Sequence, residues 1–229
     1  MFADCKSLTS IPYLPATRLK QFCYCRMFGN CFNLSTAPAL PATGLAKWCY
    51  SNMFYQCINL STAPALPAMN LAEGCYYSMF YWCNSLKNGP ELPASSLASN
   101  CYRNMFEYCQ SLTAGPALTA MTLALSCYYG MFYGCGSMKG LFQIPTSTML
   151  PATTLAPDCY DYMFYGCSRL ESISVSFTDW RWQYQGAGYM FTQNWMSGVV
   201  GTGRFYKPAD LTTIKSVDYI PSGWTVYDF

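Results

Sequence analysis

Leu71–Ala94, LAEGCYYSMFYWCNSLKNGPELPA, decides the reading of this chain, because the same phrase recurs along most of its length. With the Met79-Phe80 pair as marker, copies begin at Met1, Met27, Met53, Met79, Met105 and Met131, each 26 residues after the last. A seventh follows at Met163, delayed by six residues, and an eroded eighth at Met190 and Phe191. A fixed period of this size marks a tandem array, in which no unit can bury its apolar face alone and each must stack on its neighbours.

Counted from Met, some columns hardly change. Position −4 is Cys in Cys23, Cys49, Cys75, Cys101, Cys127 and Cys159; −3 is Tyr, +1 is Phe, +4 is Cys, and −8 and +7 are almost always Leu. Positions −2, −1, +2, +3 and +5 accept anything from Arg103 and Glu107 to Trp82 and Gly134. The first set is expected to face inward and the second outward. The apolar positions recur every four residues, which predicts a helix rather than a strand. Four is not 3.6, so the stripe would drift by about 40° per turn and the helix would be short and kinked. Leu34–Pro41, LSTAPALP, then predicts a short extended segment bracketed by Pro38 and Pro41, because proline cannot donate to a strand ladder.

A short helix and a short strand in about 26 residues, with Leu at fixed places, is the physical pattern of a leucine-rich repeat. The unit resembles the BspA-type leucine-rich repeat family of bacterial surface proteins, on the pattern Met79-Phe80, Cys83, Ser85-Leu86 and its sister copies. It departs from that family in Met where Ala is frequent, in the upstream Cys-Tyr pair and in the Pro-rich segment. The resemblance implies a right-handed α/β solenoid of about seven units over residues 1–176. Residues 177–229 read as a degenerate repeat and C-terminal cap: Trp195–Val199 and Ile220–Val226 are similar to the closing segment of gut-bacterial members. By resemblance the function is adhesion, displayed on a gut bacterium or carried by one of its phages.

Composition agrees with a stacked array: 52% of residues are hydrophobic and 10% charged. No apolar run is long enough to span a membrane. Met1 is itself a repeat Met, so the expectation is a piece of an exported protein whose signal or anchor lies upstream, secreted or at the cell surface. The exposed first unit would then be a place for end-to-end self-association. The net charge of +2 and the scattered cations Lys6, Arg18, Lys20, Arg26 and Lys47 lack the dense basic stripe a nucleic-acid partner requires.

Fourteen cysteines would suit a disulfide framework in an exported protein. The −4 and +4 cysteines of one helical unit would lie about 12 Å apart, however, beyond bridging distance. They are expected to be small buried apolar residues. No His and no CxxC pair is present for a metal, and Cys25, in an outward column, is the candidate for a reactive thiol. Asp158 and Asp161 are the only close acidic pair; they read as charge at a helix start rather than as a catalytic dyad. No cofactor and no enzymatic activity are expected.

The candidate binding surface is aromatic. Tyr55, Tyr81, Tyr133 and Tyr165 share position +2, Trp82 and Tyr108 share +3, and Tyr77 and Tyr129 share −2. These rings either pack between units or form a platform for a protein or carbohydrate on a host or neighbouring cell. Phe142, in the irregular stretch Lys139–Leu150 that carries six extra residues, and Trp180 and Trp182, in the tail, complete the candidates. The competing reading is a structural spacer or phage decoration scaffold with no ligand of its own.

Overall fold

The structure, a computed structural model, describes residues 2–141, 148–184 and 187–229, and only the backbone of 181–184 and 187–190. Among the described residues there is no helix. That overturns the α/β leucine-rich-repeat solenoid of helix-plus-strand units and with it the resemblance to BspA-type surface proteins. The regular elements are short strands in small sheets.

The physical reason is the period of four. An α-helix closes each N–H onto the carbonyl four residues back and leaves none to share with a neighbour. Here alternate amides do two different jobs. Cys25, Met27, Gly29 and Cys31 donate to Phe22, Tyr24, Arg26 and Phe28, three residues back, while Tyr24, Arg26, Phe28 and Asn30 donate to Cys49, Ser51, Met53 and Tyr55 of the next unit. The chain returns to the same orientation every fourth residue because positions −5, −1 and +3 take a left-handed backbone: Phe22, Arg26 and Asn30 have φ of 57°, 53° and 61°. A left-handed residue every four positions cancels the drift a 3.6-residue helix would show. The same alternation, with the same left-handed positions, recurs through Asp158, Tyr162 and Gly166.

Pairing on the opposite side is sparse. β1 (Ala114–Gly115) and β2 (Gly140–Leu141) are parallel, and single bridges join Thr36 to Thr62 and Asn88 to Ala114. These contacts fall just before the prolines and not between them, because Pro38 and its equivalents have no N–H to give. At the C-terminal end β3 (Ser172–Ser174), β6 (Arg204–Lys207) and β7 (Thr225–Asp228) form a parallel sheet in the order β3-β6-β7, and β4 (Arg181–Tyr184) pairs antiparallel with β5 (Ala187–Met190). Ile173, Val175 and Phe177 are buried in alternation, as the Glu171–Phe177 pattern predicts.

Equivalent side chains meet along the core. Phe2, Phe28, Phe54, Phe80, Phe106, Phe132 and Phe164 stack with centroids 5.6 to 5.8 Å apart. Tyr24, Tyr50, Tyr76, Tyr102, Tyr128 and Tyr160 form a second column at 5.8 to 6.0 Å. Such offset ring pairs add roughly 0.5–1.5 kcal/mol each beyond burial. The +4 thiols have a specific job: Cys57, Cys83, Cys109 and Cys135 donate from Sγ to the carbonyls of Phe28, Phe54, Phe80 and Phe106 at 3.0 to 3.2 Å. A methyl group could fill that space but would lose this second bond to a carbonyl that already accepts an N–H from its own unit. The −8 leucines are less uniform, since Leu45, Leu71 and Leu123 are only half-buried. All fourteen cysteines are free thiols.

The eighth layer is not built on Met190. Phe164 donates to the carbonyl of Trp195 and Tyr162 to that of Gln193, in the way Phe132 and Gly130 bond to Met163 and Asp161. Trp195 therefore takes the Met position, Phe191 the −4 position, and Asn194 and Gly198 the left-handed positions with φ of 50° and 77°. The array ends there because Asp218 accepts the Asn194 N–H at 2.6 Å and the Tyr219 carbonyl accepts Trp195 Nε1 at 2.6 Å.

Candidate binding surface

The four-residue turns aim positions +2 and +3 at one side of the stack. Tyr55 stacks on Tyr81 at 4.9 Å and Tyr133 on Tyr165 at 4.6 Å, each pair within 7° of parallel. Tyr108 joins the two pairs: its ring lies edge-on to Tyr81 at 6.1 Å and to Tyr133 at 5.4 Å, and tilted against Trp82 at 5.5 Å. Tyr165 continues to Tyr162 at 6.2 Å and Tyr162 to Tyr129 at 5.4 Å. Two guanidinium groups close the ends, Arg26 over Tyr55 at 5.5 Å and Arg103 over Tyr129 at 3.8 Å. Seven of the candidates, Tyr55, Tyr81, Trp82, Tyr108, Tyr129, Tyr133 and Tyr165, thus belong to one continuous surface.

Of the remaining candidates, Tyr77 meets Trp48 at 5.4 Å. Trp180 is 3% exposed, donates from Nε1 to the Thr212 carbonyl at 2.6 Å and packs among Phe177, Trp195 and Tyr219. It is a core residue of the C-terminal region and has no surface to offer. Phe142 and the side chain of Trp182 lie outside the described residues.

Sequence reasoning missed Tyr162, Arg26 and Arg103 as members of the face. Tyr162 and Arg26 sit at −1, a column that carried no candidate, while Arg103 shares the −2 column of Tyr77 and Tyr129 but is not aromatic. The left-handed turns give two of the rings unusual backbones. Trp82 and Tyr108 each have φ of 60°, at the position where Gly134 and Gly166 stand in sister units. A bulky residue there costs roughly 1–2 kcal/mol that glycine would not. Trp82 is nonetheless 42% exposed and has its indole N–H within 3.1 Å of Asn84, whose amide in turn donates to the Tyr108 carbonyl at 2.8 Å.

Glu107 interrupts the +2 column. It stands between Tyr81 and Tyr133, accepts a hydrogen bond from Asn104 Nδ2, and is pushed up to about 7 by burial, against that bond and the field of Arg103. Asp161 is likewise held up near 7 by burial, and by Asp158 and Asp218 near it. Its partner is the Gln193 N–H at 2.8 Å, so it ties the seventh unit to the eighth layer. The reading of Asp158 and Asp161 as helix-start charge fails for want of a helix.

The opposite side holds a half-open groove of about 500 Å³ lined by Gly89, Pro90, Leu92, Pro93, Pro116 and Thr119, with Glu91 its only charge. Among the described residues no three His, Cys, Asp or Glu side chains converge as a metal site would need. Thirteen thiols are accounted for by column packing or partial cover; Cys23 is exposed, and Cys25 is half-covered. No family model matches this chain, and no curated protein or solved structure matches it.

Proposed function

We propose that this protein is a non-catalytic binding module, displayed at a cell surface or secreted, that presents its Tyr/Trp/Arg face to a protein or glycan. The observation that carries this reading is the pair Trp82 and Tyr108. Both are large rings kept on left-handed backbone at the outer edge of the array, where the fold is served more cheaply by glycine. Tyr, Trp and Arg are the residue types that dominate interface energetics, since they combine apolar area with a polar tip. A bare spacer has no need to carry them at a cost to its backbone.

A screen of the chain against extracellular matrix proteins and immobilised glycans, repeated with Trp82→Ala and Trp180→Ala, tests the reading. Binding that falls at least tenfold in the Trp82 variant and persists in a folded Trp180 variant supports it. A ligand that binds both variants as tightly as the parent chain overturns it.

A further inference from the structure

One stretch of each unit belongs neither to the aromatic face nor to the proline segments. It comprises positions −10 to −6, which the parallel bridges Arg18 to Gly44 and Ser96 to Thr122 hold in register from layer to layer. For an outer edge it is apolar. Met69 and Met121, both at −10, are 56% and 55% exposed, and Leu125, at −6, is exposed as well. Leu71 and Leu123, at −8, are half-buried. The fold does not require this. Sister units carry Thr17, Thr43, Ser95 and Thr153 where the methionines stand, and Gln21, Lys47 and Ser99 where Leu125 stands. Single exposed apolar side chains are ordinary, whereas several along one edge mark an interaction site.

The rise of the array limits what fits there. Equivalent rings of successive layers are 5.6 to 6.0 Å apart along the two interior columns. Where backbones pair as strands the spacing is about 4.7–4.9 Å. An α-helix advances about 5.4 Å per turn, between these values, so a helix laid along the edge offers one side chain to each layer and keeps step from Met69 to Met121. An extended strand offers one side chain per face about every 6.4–6.8 Å and falls out of step.

Charge completes the chemistry. At the N-terminal end of the edge stand Arg18 and Lys20, both exposed, and among the described residues neither forms an ion pair. Glu73, the only acid at these positions in the six units, is taken by Lys47 at 2.9 Å. We infer that this edge docks an amphipathic α-helix of a partner protein, with the apolar stripe of that helix on Met69, Leu71, Met121, Leu123 and Leu125 and the acidic residues of its last turn over Arg18 and Lys20. The unbranched methionines adapt to side chains of differing shape. The C-terminus of the helix, as the negative end of its dipole, is favoured beside cations. No residue of the Tyr/Trp/Arg face takes part, so the inference goes beyond the proposed function and does not rest on it.

The test is titration of the full chain with a fluorescent peptide of about five helical turns, one per layer, with leucine on one face, alanine and glutamine elsewhere and glutamate in the last turn. Affinity is read by anisotropy at low salt, and location by the methyl resonances of Met69 and Met121. Saturable binding that shifts both methyls is expected, at least fivefold weaker when lysine replaces the glutamates of the peptide. It should also be at least fivefold weaker in the variant Met69→Ser, Met121→Ser, Leu125→Ser, which keeps its urea midpoint because Ser95 and Ser99 already occupy these positions in a sister unit. Trp82→Ala should bind as the parent chain does. Absence of saturable binding, or equal binding by the serine variant, overturns the inference. Loss of binding in Trp82→Ala with both methyls silent would put the peptide on the aromatic face, overturning this inference and leaving the proposed function standing. Phosphatidylserine vesicles that shift the two methyls when the peptide does not would overturn it in favour of a membrane surface.

Discussion

The cysteine columns make the fold sensitive to alkali, and the size of the effect can be worked out. Of the eleven thiols with no exposed surface, ten lie in the interior layers: Cys49, Cys57, Cys75, Cys83, Cys101, Cys109, Cys127, Cys135, Cys159 and Cys167. Burial raises all of them from the ordinary 9.0, to about 11 for Cys49 and about 12 for Cys57, Cys109, Cys127 and Cys167, and well up for the others. An acid whose folded pKa exceeds its unfolded one holds its proton longer in the native state, so stability is intact below pH 9 and falls above it. At pH 9.5 each unfolded thiol gains about 0.8 kcal/mol by ionising, and ten gain about 8 kcal/mol. At pH 10 the sum is about 14 kcal/mol, comparable with the roughly 5–15 kcal/mol that holds a domain together. Urea midpoints by circular dichroism at pH 7.5, 8.5 and 9.5, with a phosphine reductant present, would read this directly. The midpoint should drop little to pH 8.5 and then steeply, and a chromogenic disulfide should label these ten thiols only as the fold is lost. A midpoint at pH 9.5 equal to that at 7.5, or prompt labelling of the native columns at pH 8, would refute the argument.

Three further outcomes follow from single residues. Asp161, 4% exposed and held near 7 against an ordinary 3.8, keeps its proton in the folded state between about pH 4 and 7. Its burial therefore costs nothing in acid and up to ~4 kcal/mol above pH 7. Asp161→Asn, which can still accept the Gln193 N–H, should flatten the fall in urea midpoint between pH 4.5 and 7.5, and an unchanged slope would count against it. Phe22, 53% exposed with φ of 57°, should gain about 0.5–1 kcal/mol in thermal unfolding when replaced by Gly, since relief of the left-handed backbone outweighs glycine's extra chain entropy. Trp195→Ala should cost about 3–5 kcal/mol and leave Phe191–Phe229 preferentially open to proteolysis, because Trp195 fills the last layer and bonds the Tyr219 carbonyl.

Much of the interior was legible in the sequence. Invariant Cys, Tyr, Met and Phe columns are interior because a side chain that meets its own copy in the next layer is constrained from both sides, and those columns are the buried ones. The aromatic face was half legible. Tyr55, Tyr81, Tyr133 and Tyr165 share a column that is outward in any regular stack. Tyr162 and Arg26, both at −1, needed the backbone conformation, which no column count supplies.

The local conformation was misread for an identifiable reason. A four-residue spacing was assigned to a helix and its mismatch with 3.6 absorbed as a kink, when the mismatch was itself the signal. A stripe that stays in phase over positions −8, −4, 0 and +4 in six units cannot drift, so the backbone must reset every four residues. In L-amino acids the available reset is a left-handed residue, and the places that allow one are marked: Gly74, Gly130, Gly134 and Gly166, with Asn30, Asn52, Asn100 and Asn104, all fall at −5, −1 or +3. The same marks place the last layer. From Met131 to Met163 is 32 residues, and 32 more reach Trp195, preceded by Asn194 and followed by Gly198 at the two left-handed positions. Met190 shares the marker dipeptide but has Tyr189 and Gln193 at those places, residue types that do stand there in Tyr162 and Gln56 but at a left-handed cost that Asn and Gly largely escape. Backbone tolerance at outward positions is therefore a better guide to register in this array than the identity of the buried pair.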